Sequence, residues 1–275
     1  MTSRTILVTG CSSGIGLDAA RRLKSRGWTV FAACRASEDC AARAAEGFVA
    51  PRLDYQDTAS IAAAAQEVLG HTGGTLDAVF HNGAYALPGP LEDIPTDGLR
   101  AQFEANFLGW HDLTRALLPA MRAQGGGRIL LNSSVLGLVG MKWRGPYVAT
   151  KFALEGYADV LRMEMAETGI HVVLIEPGPI ETAFRRNAIR QFDTWVDWKS
   201  SPRRAQYEAS LLDQLHKGGG TKTQWPASAV TDAVVTALEA RRPKPRYRIT
   251  TPTHVMSIAR RLLPTRALDW VLSKG

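Results

Sequence analysis

Residues 4–23 read RTILVTGCSSGIGLDAARRL. The apolar run Ile6–Val8 has the look of a buried strand, and the pattern from Leu17 to Leu23 is helical, so Thr9–Gly16 must turn the chain between them. Glycines at such a junction let backbone approach a bound group closely, while the free N–H groups and positive dipole of the helix start favour negative charge. The spacing is GxxxGxG rather than GxGxxG, and in its strand-turn-helix setting it predicts a phosphate cradle made of Gly10, Ser12, Ser13, Gly14, Ile15 and Gly16.

Working outward, apolar β-rich runs alternate with helical patterns. WTVFAACR (28–35) is followed by a helix near Cys40–Glu46, FVAPRLD (48–54) as a third strand, SIAAAAQEVLG (60–70) and LDAVFHNGA (76–84). Then come a helix from about Leu99 to Ala123, GRILLNSS (127–134), a helix from about Tyr147 to Thr168, and IHVVLIEPG (170–178). Continuous apolar strands separated by helices predict right-handed βαβ units and an α/β, doubly wound parallel sheet covered on both faces. The whole of 1–275 reads as a single domain of this Rossmann type. Residues 184–225, with Phe192, Trp195, Trp198 and Tyr207 among many charges, break the pattern before a last helix at about Pro226–Arg241; they are expected to form a substrate lid or a solvated helical insertion.

The 275 residues are 45% hydrophobic and 21% charged, the composition of a globular protein with a sizeable core. No apolar run is long enough to span a bilayer, and the start enters a strand at once, so a cytoplasmic location is expected. Cys11, Cys34 and Cys40 lack paired zinc spacing, which suits free thiols and no metal. The net charge of +7 is spread along the chain, and no nucleic-acid partner is expected.

At the end of the second strand stand Cys34 and Arg35. A carboxylate there would accept from a free ribose hydroxyl, whereas the planar guanidinium of Arg35 suits a 2′-phosphate. NADP (NADPH) is therefore expected over NAD, with Ser12 as a further donor; Glu38 or Asp39 bending back would reverse that choice.

Tyr147 and Lys151 in GPYVATK (145–151) are one helical turn apart and share a face. Together, TGCSSGIG, HNGA (81–84), Asn106, Ser134, Tyr147-x-x-x-Lys151 and EPGPIET (176–182) resemble the short-chain dehydrogenase/reductase superfamily over about residues 4–184. TGCSSGIGL, KFALEGY and EPGPIETAF are most similar to its hydroxysteroid and retinol dehydrogenase branch. The resemblance implies Tyr147 as proton donor or acceptor, Lys151 as its electrostatic partner, Ser134 as the group holding the substrate oxygen, and Asn106 as the residue tying Lys151 to solvent through a water. It places Asp54 at the adenine amino group, with a strand-end cap as the alternative. Asn82 and Gly83 fall beside the adenine-side ribose, with the family's NNAG replaced by HNGA, and Pro177, Gly178, Ile180 and Thr182 fall on the nicotinamide side. His81 has no chemical role in this reading.

A free phenol titrates near 10, and an adjacent cation brings that closer to working pH, as general acid-base catalysis requires. Trp143 and Phe184, with Leu136, Val139, Met141 and Trp195, are candidates to line an apolar pocket for a steroid-like, retinoid-like or aliphatic alcohol or carbonyl compound. A regulatory protein that senses NADPH without turnover is the competing reading. The C-terminal stretch 246–275, with Arg260, Arg261, Arg266 and Lys274, is expected to pack on the body in preference to lying on a membrane. The resemblance implies a homodimer or homotetramer.

Overall fold

The structure is a computed structural model that describes residues 3–218 and 224–273. Six strands form one parallel sheet in the order β2-β1-β3-β4-β5-β6: β1 (Thr5–Thr9), β2 (Thr29–Ala33), β3 (Ala78–His81), β4 (Gly127–Asn132), β5 (Ile170–Glu176) and β6 (Arg246–Arg248). Their helices are α1 (Gly14–Ser25), α2 (Ser37–Ala45), α3 (Thr58–His71), α4 (Thr96–Phe103), α5 (Gly109–Ala123) and α6 (Gly145–Glu164). After β5 come α7 (Phe184–Trp195), the short α8 (Arg204–Gln206), α9 (Ala227–Glu239), α10 (Thr251–Leu262) and α11 (Thr265–Leu272).

The sheet's apolar side chains split by strand parity, as the two-residue period demands. Leu7, Val79, Ile129 and Val172 face a core closed by α3, α5 and α6, while Ile6, Val8, Phe80 and Val173 face one closed by α1 and α9. The strand order reverses between β1 and β3, which opens a crevice at their carboxyl ends, where ligands bind in open α/β sheets.

Three sequence expectations change. FVAPRLD makes only isolated bridges, Phe31 with Val49 and Cys34 with Arg52, because Pro51 has no N–H to continue a ladder at this edge. The helix expected from Leu99 to Ala123 begins at Thr96 and is interrupted by a π-helical turn at Glu104–Leu108. The helix expected at Tyr147–Thr168 runs from Gly145 to Glu164, with Pro146 in the first turn, where a missing N–H costs nothing.

Gly109 opens α5 where that helix crosses the β3-proximal loop so closely that a Cβ would run into the Tyr55 carbonyl oxygen. Since that obstacle is backbone, Gly109→Ala is expected to cost about 1–3 kcal/mol, typical of overpacking, and to lower the urea midpoint. An unchanged midpoint would show that α5 shifts freely.

Candidate active site

The proposed site residues follow four strand ends: Gly10 after β1, Asn82 after β3, Ser134 after β4 and Pro177 after β5. Thr9 ties the first two together, its hydroxyl accepting from the N–H groups of Asn82 (2.9 Å) and Gly83 (3.2 Å). Asn82 Nδ2 donates to the Thr9 carbonyl (3.1 Å), and Asn82 Oδ1 accepts from Asn132 Nδ2 (2.8 Å), so one amide spans β1, β3 and β4. Within HNGA, Gly83 Cα lies only 2.7 Å from where a Gly10 side chain would begin, so the two loops meet through backbone.

The glycine turn has the form of an anion cradle. Gly10 and Gly14 hold φ of 70° and 57°, and a Cβ on Gly16 would overlap the Gly10 carbonyl oxygen. Ser13 precedes α1 without capping it by its side chain, and no acid lies in that helix's first turn. Exposed Ser12 and Ser13 and the free N–H groups thus fit a pyrophosphate. Ile15, half-buried, anchors the turn on the core below.

Arg43 is a part of this cradle that sequence reasoning missed. It is 8% exposed, its Nη1 donates to the carbonyls of Cys11 (3.1 Å) and Ser12 (3.3 Å), and its Nη2 pairs with Glu46 (2.9 Å). Nothing in α2's pattern distinguishes it from a solvated helix arginine. Arg35 stands exposed just past β2; burial raises the Tyr85 phenol, with the Arg35 charge opposing and the Asp54 charge adding to that rise. Asp54 does make a turn, its Oδ1 accepting from the Gln56 N–H at 3.0 Å. Thr182 overhangs the cradle, its Cγ2 3.0 Å from the position of a Gly14 Cβ.

At the chemical end, Tyr147 is 8% exposed and sits among Ala86, Leu136, Phe184 and Ala188. Phe184 presents an edge-on ring with centroids 5.3 Å apart. Burial pushes the Tyr147 phenol well above its ordinary value, and the nearby Ser134 hydroxyl pulls the other way. Ser134 takes an extended backbone (φ −168°) at the start of a 3₁₀ turn, Val135–Gly137, and its Oγ accepts from the Leu136 N–H at 3.1 Å.

Lys151 is 1% exposed. Its ammonium donates to the Asn132 carbonyl at 2.6 Å and lies over the Trp110 ring (4.6 Å) and the Tyr147 ring (5.5 Å). Burial lowers its pKa to about 7, opposed by Glu155. Lys151 Nζ thus sits within reach of the Tyr147 ring, so that its charge can act on the phenol, while one of its N–H groups is given to the Asn132 carbonyl.

The π turn projects Asn106 inward, and its side chain is fully engaged. Oδ1 accepts from the Tyr85 N–H (3.1 Å), and Nδ2 donates to the Tyr85 carbonyl (2.8 Å) and to Thr150 Oγ1 (3.3 Å). These side-chain contacts run to Tyr85 and Thr150 and hold Asn106 in place within the π turn. Gln102, four residues earlier and also missed by sequence reading, clamps Tyr85 and Leu87 in the same way. His81 is fully buried between Tyr55 and Thr114 and held neutral, its pKa lowered to about 3 by burial, in keeping with a packing role.

Trp143 takes a left-handed backbone (φ 67°), rare for a bulky residue, and its buried ring joins Leu87, Phe192, Val196, Tyr207 and Leu211 in a core belonging to the 184–225 segment. That segment continues from α8 into π turns at Tyr207–Leu211 and Gln214–Gly218, and its residues 219–223 lie outside the described ones, as does Lys274. It returns through Trp225, whose N–H donates to the Pro179 carbonyl (3.0 Å) and whose carbonyl accepts from Glu181 (2.9 Å), fastening the segment to the loop carrying Gly178, Ile180 and Thr182. The Pro177 carbonyl accepts from Val135 (2.8 Å), so that loop also braces Ser134. Among the described residues no cluster suits a metal ion and no helix is long and apolar enough to cross a membrane.

A parallel sheet with this cradle and a Ser134–Tyr147–Lys151 grouping defines a nicotinamide-type oxidoreductase architecture. The short chain dehydrogenase family model matches residues 4–192, and the chain belongs to that family as an oxidoreductase. It is 39% identical over 270 residues to the uncharacterized oxidoreductase YbbO of Escherichia coli K12, covering 98% of this chain and 94% of that one. It is 33% identical over 262 residues to human 17-beta-hydroxysteroid dehydrogenase type 1, covering 90% and 77%, and it lies in the hydroxysteroid and retinol dehydrogenase branch. A short-chain dehydrogenase from Streptomyces avermitilis superposes with a TM-score of 0.79 at 27% identity, covering 100% and 95% of the two chains.

Proposed function

We propose that this oxidoreductase uses NADP(H) to interconvert a hydrophobic alcohol and its carbonyl compound. The observation that carries the reading is a phenol buried in an apolar pocket, beside Ser134 and one turn from a buried ammonium. In the reductive direction Ser134 and Tyr147 hold the carbonyl oxygen, and Tyr147 releases its proton to it as charge develops there. The dinucleotide, when bound, supplies the hydride. Lys151 replenishes positive charge beside the phenolate left behind, while Asn106 and Gln102 fix the 85–87 loop that forms one wall of the pocket.

The apolar neighbours Leu136 and Phe184 support a steroid-like, retinoid-like or aliphatic substrate, with residues 184–225 as its lid and Trp143 as the lid's anchor. Gly10, Ser12, Ser13, Gly14, Ile15 and Gly16 take the pyrophosphate; Asp54, Asn82 and Gly83 the adenosine; Pro177, Gly178, Ile180 and Thr182 the carboxamide side. Free Cys11, Cys34 and Cys40 support a cytoplasmic setting, and the family resemblance supports a homodimer or homotetramer. A panel of aldehydes, ketones and secondary alcohols assayed with both cofactors tests the whole reading; tight NADPH binding with no turnover on any of them would refute it.

Arg35 carries the cofactor choice. One charge-assisted hydrogen bond is worth about 1.5–3 kcal/mol, so Arg35→Ala is expected to raise KM for NADPH by about 10- to 100-fold and to leave KM for NADH nearly unchanged. Equal changes for both cofactors would remove Arg35 from 2′-phosphate recognition.

A further inference from the structure

Away from the Tyr147 pocket, a cavity of about 550 Å³ opens between α6, β6 and α10. Its wall carries Arg162, Arg246, Arg248, Arg260 and Arg261, against two carboxylates, Glu155 and Asp159. A third carboxylate, Glu176, is fully buried behind the wall. The volume lies in the range of small-molecule sites, and the cationic excess is unusual for a cavity that only fills a gap between helices.

The pairing within the wall leaves much of that charge unspent. Arg246 is fully committed, to Glu155, to Glu176 (2.8 Å) and to Asp159 (2.7 Å). Arg248 makes one long contact to Glu176, at 3.3 Å. Arg162 donates through Nη2 to Asp159 (2.6 Å), but its Nη1 is buried with no partner among the described residues. Arg260 is held in place by the Leu138 carbonyl (2.7 Å) and the Phe152 ring (4.7 Å), neither of which neutralises it. Arg261 has no carboxylate partner among the described residues. A buried unpaired donor costs free energy, and several guanidiniums at close quarters repel; an oxyanion entering between them relieves both. Guanidinium forks match phosphate oxygens bidentately, and about two uncompensated charges match a phosphomonoester dianion better than a single carboxylate.

The same wall supports the catalytic loop. Glu155 accepts from Ser133 Oγ, and a Cβ on Gly137 would meet Ser133 Oγ (2.8 Å) and Glu155 Cγ (2.9 Å), so the turn holding Ser134 rests on this carboxylate.

We propose that this cavity is a second ligand site that takes a phosphate-bearing small molecule, with the loosely paired Arg248 and with Arg261 as its cationic arms and Arg260 fixing α10 over it. The phosphate can belong to a soluble metabolite or to a lipid headgroup, since α10 also exposes Ile258 and Leu262, and α11 exposes Trp270.

The test is calorimetric titration of the whole chain with inorganic phosphate at constant ionic strength, alongside flotation on phosphatidylcholine vesicles with and without phosphatidic acid. Saturable binding in either arm is expected, weakened at least about tenfold in the Arg248→Ala, Arg261→Ala double variant, and unchanged in Arg35→Ala, whose residue lies in the dinucleotide crevice. Phosphate binding alone names a soluble ligand; flotation that needs phosphatidic acid names a lipid. Absence of saturable binding in both arms overturns the proposal, as does binding lost in Arg35→Ala but kept in the double variant.

Discussion

Tyr147→Phe is expected to lower kcat/KM for carbonyl reduction by about 10²- to 10⁴-fold, the range supplied by a positioned general acid, while the dissociation constant for NADPH stays within about twofold. The substitution removes one hydroxyl and preserves the ring that packs on Phe184 and Ala86. Ser134 keeps its hydrogen bond from the Leu136 N–H, so no buried polar group is orphaned and the fold should be unchanged. Burial holds the phenol protonated across neutral pH, which suits it to donating a proton in the reductive direction. Steady-state assays with a reactive aldehyde, together with NADPH fluorescence titration, separate the two effects. Wild-type turnover in the variant would move the proton donor elsewhere; lost NADPH binding would make Tyr147 a cofactor residue first.

What could be read from the residues and what could not divides along physical lines. The cradle was legible because turn glycines at this junction have a backbone cause, seen here in the overlaps that any Cβ on Gly10 or Gly16 would create. Central strands were legible because two-sided burial leaves unbroken apolar runs. β6 was not, since a three-residue edge strand reading Arg246-Tyr247-Arg248 has one apolar contact through Tyr247 and two arginines turned to Glu155 and Glu176, which leaves no apolar run to read. The π turn at Asn106 was equally hidden, because one extra residue in a helical turn leaves the surrounding periodicity almost intact. Arg43 and Gln102 act through backbone carbonyls and amides distant in sequence, and such contacts write no motif.

Those hidden contacts also bear on the cost of keeping Lys151 charged in the site. Its ammonium is almost wholly removed from water, with one short hydrogen bond to Asn132 and two aromatic faces as compensation. Lys151→Met is expected to reduce kcat/KM by about 10²- to 10⁴-fold, as loss of the charge beside the acting phenol requires, and at the same time to raise Tm at pH 6. The Asn132 carbonyl left without its donor costs about 1–3 kcal/mol, whereas an imperfectly paired buried ion costs several, so relief of burial wins. The pH dependence gives the sign independently. An unfolded lysine keeps its proton to near 10.4, while in the fold Lys151 releases it near about 7, so between those values the unfolded chain holds one more proton. Wild-type stability should therefore rise with pH from about 7 towards 10.4 through this group, with the charge-burial cost fully present below 7. The Met variant should lose that rise, and its advantage should be greatest at pH 6 and shrink above pH 8, measurable by denaturant unfolding at each pH. A variant less stable than wild type at pH 6 would mean that Lys151 holds the fold together through Asn132 rather than being held, charged, for chemistry.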